Sequence, residues 1–358
     1  MKPTELIVEL QSRGVRVPRD LPGKTGGAGP SEGSVLIING TYTNVPTQSW
    51  FVRSSPYSIQ KSGSTLTLMR DGVPECDVFV APRPRYYDLK TEAGVPLDKI
   101  ALIHGQNCLA STVYQDCAYR NTDLQCKFCG IGISLATGST ILEKSPEDMG
   151  FAAKKARLLD HAEHVTLTTG SYPDEQRGAD HLAACIRRIK EEAGLPVHVQ
   201  VCPPGAMNVL DRLKDAGADT LGVHIETFNS DVLHEYAPCK AHFGRDRYIS
   251  CWEYAVKVFG KNQVSSFLIA GMGEEPEDII AGAELLCRIG VYPYLLPLRP
   301  VPGTAMEKWK PPDPQLMTVL YKELSSLLKK HGLSSQKCRA GCVRCGACSA
   351  LHLFEDYV

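Results

Sequence analysis

No apolar run in this 358-residue chain approaches the ~18 residues needed to cross a bilayer, so a spanning helix is excluded. A surplus of one charge is also missing. Its 39 basic and 40 acidic residues nearly cancel, which leaves no field to hold a nucleic acid or a membrane surface. The opening decapeptide carries Glu5 and Glu9 inside its apolar pattern, so a secretory leader is not expected and the cytoplasm is. A phosphate-binding loop is lacking too. Gly23-Lys24-Thr25 invites the comparison, but Pro18 stands where the first glycine of that motif belongs.

What the chain has is cysteine, 14 in all, with a hydrophobic fraction of 43%, ample for a core. Seven of the thiols fall in two tight groups, 117–129 and 338–348, and in a reducing compartment such groups bind metal more often than they pair. Cys185, Cys251 and Cys287 lie in helical apolar patterns and read as core. The first group places Cys117, Cys126 and Cys129 in one loop. Three thiolates can hold a cubane at three of its four irons, leaving the last open to a small molecule. A zinc knuckle closed by Cys108 is the blander alternative, because structural zinc takes four ligands.

Residues 1–98 read as an α+β subdomain. Thr4 caps a helix running to Gly14, residues 20–33 form a flexible, lid-like Gly/Pro loop, and short β runs follow at 34–39, 49–53, 64–68 and 77–80. From residue 99 strand and helix alternate. Strands are expected at 100–103, 164–168, 197–202, 220–225, 264–269 and 291–296. Helices are expected from Ser145 and at 180–193, 206–216, 246–259 and 276–289. Repeated βα units imply an α/β fold with a parallel sheet, here a partial (β/α)6 TIM-like barrel over 99–312. Such a barrel carries its site at the carboxyl ends of the strands. Thr169-Gly170-Ser171, Cys202, Glu226, Gly271, Glu274 and Arg299 collect there. Gln200, Cys202 and Arg299 are candidate catalytic residues facing the mouth, Arg299 as a clamp for a carboxylate or phosphate or as a salt bridge closing the barrel.

Residues 313–358 form an extension, with an amphipathic helix at 315–331 followed by Cys338, Cys342, Cys345 and Cys348. Gaps of three, two and two residues suit an auxiliary [4Fe–4S] cluster with every iron ligated, or a structural zinc.

The Cys-x-Phe-Cys ending of the first group resembles the radical S-adenosylmethionine (radical SAM) superfamily, in the branch of biotin synthase and the related hydrogenase maturase. The usual first gap there is three residues and here it is eight. The resemblance implies Cys117, Cys126 and Cys129 as ligands of a [4Fe–4S] cluster, with Phe128 beside the adenine of S-adenosylmethionine. It also implies Thr169, Gly170 and Ser171 near the cofactor's amino group, with Ser171 where the family has Glu. Glu226 would hold the ribose hydroxyls, and the segment from Gly271 to Glu274 would pack beside adenine. Pro302-Gly303-Thr304 is similar to the turn after strand six. Function then follows as hydrogen abstraction from a small organic substrate by a 5′-deoxyadenosyl radical, with flavodoxin or ferredoxin as reductant. The Gly-rich run 26–30 and the cysteine tail also resemble a radical SAM family encoded beside nitrilases. Two other classes stay open, a zinc-stabilised scaffold and an electron-transfer protein.

Overall fold

The computed structural model describes residues 1–18, 21 and 32–357. The glycine-rich run 26–30, with its reading as a lid, lies outside these residues. Helix α1 (Pro3–Arg13) starts on Pro3 behind Lys2, so Thr4 sits inside the helix and is not its cap. Strands β1 (Ser34–Ile38), β2 (Thr41–Val45), β3 (Tyr57–Ser62), β4 (Thr65–Arg70) and β5 (Val73–Val80) form an antiparallel sheet in the order β2-β1-β5-β4-β3. Leu6 and Leu10 of α1 join Leu36, Ile38, Tyr57 and Leu68 in its core. The strand expected at 49–53 is instead a 3-10 turn (Trp50–Ser54). Glu32 gathers the backbone N–H groups of Thr47, Gln48 and Ser49 on one carboxylate oxygen, which curls the chain ahead of the turn.

The larger sheet begins with β6 (Leu102–His104) and β7 (Cys108–Thr112), an antiparallel pair. Then come α2 (Ile131–Ala136), α3 (Pro146–Asp160), β8 (His164–Thr168), α4 (Glu175–Ala193), β9 (Val197–Gln200), α5 (Asn208–Asp215) and β10 (Thr220–Gly222). Three helices follow, α6 (Ser230–Tyr236), α7 (Pro238–Phe243) and α8 (Arg245–Phe259), before β11 (Val264–Ala270), α9 (Pro276–Ile289) and β12 (Val291–Pro297). Strands β7 to β12 run parallel and sit side by side in chain order. That order is the singly wound barrel arrangement, and β6 and β12 are its edges, so the barrel is a partial (β/α)6 one. The sequence places its first strand at 100–103, which overlaps β6 at Leu102 and Ile103, but that strand is antiparallel to its neighbour. The first parallel strand is β7, whose Cys-Leu-Ala-Ser-Thr is buried throughout yet holds few of the branched or aromatic residues by which a strand is recognised.

Helix α3 starts as its sequence dictates, with Ser145 Oγ accepting from Asp148 N–H at 3.0 Å and Pro146 in the first turn. Helix α4 begins earlier than residue 180, because Asp174 caps it by accepting from the N–H groups of Gln176 and Arg177. Helix α10 (Pro314–His331) buries Leu320, Leu324 and Leu328, and the short α11 (Cys342–Cys345) follows. No helix among the described residues is long and apolar enough to cross a membrane.

Lys144, 1% exposed, donates from Nζ to Ile141 O at 2.8 Å and to Gln115 Oε1 at 3.3 Å. Burial lowers its pKa from 10.5 to about 7. Unfolded lysine therefore binds a proton that the folded state refuses between about pH 7 and 10.5, and stability rises with pH across that window. Lys144→Met is expected to remove a slope of up to ~1.4 kcal/mol per pH unit. Urea midpoints of both chains at several pH values above 7 test this: the advantage of the variant must shrink as pH rises, and a constant advantage contradicts it.

Candidate functional site

The loop leaving the carboxyl end of β7 carries the first cysteine group. Asp116 anchors its start, accepting the Cys117 N–H at 2.8 Å and pairing with Arg120, which holds its carboxyl below the usual range. The long gap is taken up by successive turns. Arg120 N–H donates to Cys117 O at 2.9 Å, Thr122 N–H to Tyr119 O at 3.3 Å and Gln125 N–H to Thr122 O at 3.1 Å. The coiled segment is pinned outside as well, by Lys127 N–H on Tyr236 O at 2.9 Å and Cys239 N–H on Leu124 O at 3.1 Å. Eight intervening residues thus still bring Cys117 to Cys126 and Cys129, all three lining one cavity.

That cavity, about 450 Å³, fills the barrel. Its lining includes Phe128, Thr169, Gly170, Ser171, Gln200, Cys202, Glu226 and Arg299 beside the three thiols. Gly170 is required by a close approach: a Cβ there would fall on the carbonyl oxygen of Asp116, so only glycine lets this strand end meet the cysteine loop. Ser171 Oγ and Cys202 Sγ lie 3.6 Å apart. Gly271 and Glu274 stand outside the lining. Glu274 accepts from the N–H groups of Gly271 and Met272 at 2.8 and 3.2 Å, and a Cβ on Gly271 would press on Pro312, so the pair builds a turn.

Glu226 combines several unusual features. It is 6% exposed and adopts a φ of 74°, a left-handed conformation seldom found in a residue with a side chain. One oxygen pairs with Lys240 Nζ at 2.8 Å, while the other, Oε2, is buried and meets no donor among the described residues. Burial pulls the Lys240 pKa down, but Glu226 and neighbouring thiols outweigh it and the ammonium is retained. Nothing in the sequence around Lys240 signals this role. Cys239, next to it, was equally unmarked, and its thiol touches that of Cys126 at 3.2 Å. That contact and burial raise the Cys126 pKa, and burial pushes Cys129 up to about 11. Loading a metal would therefore release protons.

Arg299 donates through Nη2 to Asn44 O of β2 at 3.0 Å, tying the small sheet to the barrel, while its buried Nη1 meets no acceptor among the described residues. It forms no salt bridge there.

At the opposite end of the same cavity lie Cys342, Cys345 and Cys348, together with His104 and Cys108. Cys338 is absent from the lining, 6% exposed and packed in the apolar core. Among the described residues no three His, Cys, Asp or Glu side chains converge on a single-ion site. The zinc knuckle of Cys108 with the first cysteine group is therefore not assembled, since Cys108 sits with the tail thiols.

The donor set fits an iron–sulfur cluster bearing a chelating ligand: three cavity-facing thiols, an aromatic neighbour and a carboxylate oxygen without a partner. Residues 112–286 match the family model described as the Radical SAM superfamily. The chain is 24% identical over 262 residues to a bacteriochlorophyllide c C-7(1)-hydroxylase of Chlorobaculum limnaeum, covering 68% of this chain and 65% of that protein. It is 25% identical over 284 residues to a lipoyl synthase of Ectopseudomonas mendocina, covering 71% of this chain and 78% of that one. Among solved structures a methylornithine synthase overlays with a TM-score of 0.47 at 16% identity, over 75% of this chain and 78% of the other.

Proposed function

We propose, from the premise that residues 112–286 form a radical SAM domain, that this enzyme abstracts hydrogen from a small organic substrate held inside the barrel. The observation that carries the reading is Glu226, a strained, buried carboxylate with one uncommitted oxygen, in the same cavity as Cys117, Cys126 and Cys129. The three thiolates would hold a [4Fe–4S] cluster and leave one iron for S-adenosylmethionine. When bound, cluster and cofactor supply an electron and a 5′-deoxyadenosyl radical.

The rest falls to this chain's side chains. Glu226 Oε2 would be free to accept hydroxyl hydrogens of the cofactor, Oε1 being held by Lys240. Thr169, Gly170 and Ser171 offer backbone at the strand end, and Phe128 offers a flat face. Arg299 Nη1 suits a carboxylate or phosphate of the substrate, and Gln200 and Cys202 line its chamber. Gly271 and Glu274 support the rim through their turn. We assign a second [4Fe–4S] cluster to the tail, a flavodoxin or ferredoxin as reductant, and the reducing cytoplasm as compartment, where the fourteen cysteines stay out of disulfides. Residues 1–98, 99–312 and 313–358 are the corresponding units, the first and last closing the barrel.

The test is to incubate reduced, anaerobically reconstituted protein with S-adenosylmethionine and look for 5′-deoxyadenosine by chromatography. Its formation supports the reading. Stoichiometric zinc without product would favour a scaffold, and reducible iron without product an electron carrier. Cys345→Ala is expected to keep uncoupled cofactor cleavage within about tenfold of the intact enzyme, or ~1.4 kcal/mol in barrier, because the first cysteine group is untouched.

A further inference from the structure

The tail enters the barrel from below. Gly341 donates its N–H to Nδ1 of His164, the first residue of β8, at 3.2 Å, and Ala340 O accepts from Thr220, the first residue of β10, at 3.2 Å. A side chain at Gly341 would collide with the ring of His198, so glycine at φ 93° is what admits the chain. Helix α11 is thereby set into the barrel floor with Cys342, Cys345 and Cys348 facing the cavity.

Cys338 stays behind. Its thiol donates to Ala340 O at 3.3 Å and its surroundings are apolar. The floor has another thiol. Cys108, 2% exposed at the start of β7, lines the cavity together with Cys342, Cys345 and Cys348, its thiol 3.3 Å from Thr166 Oγ1. Its partner across the β6–β7 pair is His104, whose ring nitrogens lie 3.6 Å from Cys345 Sγ and 3.5 Å from Cys348 Sγ. Gln200 Nε2 reaches Cys342 Sγ at 3.4 Å, and Asn44 Nδ2 reaches Cys348 Sγ at 3.7 Å.

We propose that the second cluster is held by Cys108 together with Cys342, Cys345 and Cys348, one ligand from the barrel and three from the tail, and that Cys338 is a core residue. This rests on the reading that a second cluster exists and names its ligands. Four thiolates are the ordinary set for a cubane, each on its own iron, which is why they need not converge on one point. His104, Gln200 and Asn44 are then positioning residues that direct nitrogen atoms at the ligand sulfurs, the kind of contact that tunes a cluster's potential. The assignment makes the cluster a staple between tail and barrel and sets it across the substrate chamber from the radical site.

The experiment starts from the chain in which Cys117, Cys126 and Cys129 are all replaced by alanine, reconstituted anaerobically and assayed for iron, sulfide and the electron paramagnetic resonance of the reduced cluster. About four irons per chain are expected. Adding Cys338→Ala should leave content and signal unchanged, whereas adding Cys108→Ala should remove more than about half the iron or leave a three-iron signal. Cys108→Ser, nearly isosteric, should behave like Cys108→Ala, with circular dichroism reporting the fold. His104→Gln should keep the iron and shift the midpoint potential. Iron lost with Cys338→Ala, or a full four-iron signal kept with Cys108→Ala, overturns the ligand assignment. No iron in the starting variant overturns the second cluster itself, before either ligand is tested.

Discussion

Cys126→Ala is expected to abolish 5′-deoxyadenosine formation and to lower iron by about four atoms per chain. The loop should survive, since its hydrogen bonds from Lys127 N–H to Tyr236 O and from Cys129 N–H to Cys126 O are made by backbone. What is lost is one of three thiolates. Removing groups that merely orient a metal ligand costs about 10–100-fold, so losing the ligand itself should exceed a hundredfold. Cys239, 3.2 Å from the deleted sulfur, is the obvious substitute. Residual product in Cys126→Ala that vanishes in Cys126→Ala/Cys239→Ala would identify it. Normal turnover in Cys126→Ala would defeat the ligand assignment.

Glu226→Ala should act on stability and on cofactor binding at once. It leaves the Lys240 ammonium without its counter-charge, only the neutral carbonyl of His224 remaining at 2.6 Å, in a site where the two side chains are only 13% and 7% exposed. Breaking a buried pair by removing one partner costs about 3 kcal/mol, which a urea titration will read as a lower midpoint at unchanged slope. The same substitution removes the oxygen proposed to accept the cofactor's hydroxyls, so S-adenosylmethionine should bind more weakly. Lys240→Met in the Glu226→Ala background separates the effects: stability should recover while cofactor binding should not. Recovery of both would make Glu226 a structural partner of Lys240 and nothing more.

These side chains differ in how far they could be read in advance. The three cysteines proposed for the radical site stand out because their spacing is local, and the turns between residues 117 and 129 absorb the extra length while backbone bonds to Ser171, Cys239 and Tyr236 hold the segment in place. Helices with strong start signals, such as α3 behind Ser145 and α9 on Pro276, lie where capping chemistry puts them. Strand β7 escaped because burial, not composition, makes Cys-Leu-Ala-Ser-Thr a strand. The turn at residues 50–54 escaped because the carboxylate that shapes its approach lies 15 to 17 positions earlier.

The tail cysteines are close in sequence but not all close to the cavity. Sequence proximity groups Cys338 with its three neighbours, yet the chain buries it before turning into the barrel. Lys240 and Cys239 carried no mark, because their meaning comes from Glu226 and Cys126 across the fold.

From the residues alone came the parallel barrel, the cysteine loop and the end of the strands where chemistry gathers, since periodicity, caps and thiol spacing act over a few neighbours. Only closure of the fold decided which groups share the cavity. His104 and Cys345, 241 positions apart, meet because β6 and the tail converge on the barrel floor, and no local pattern encodes a contact formed by packing across that distance.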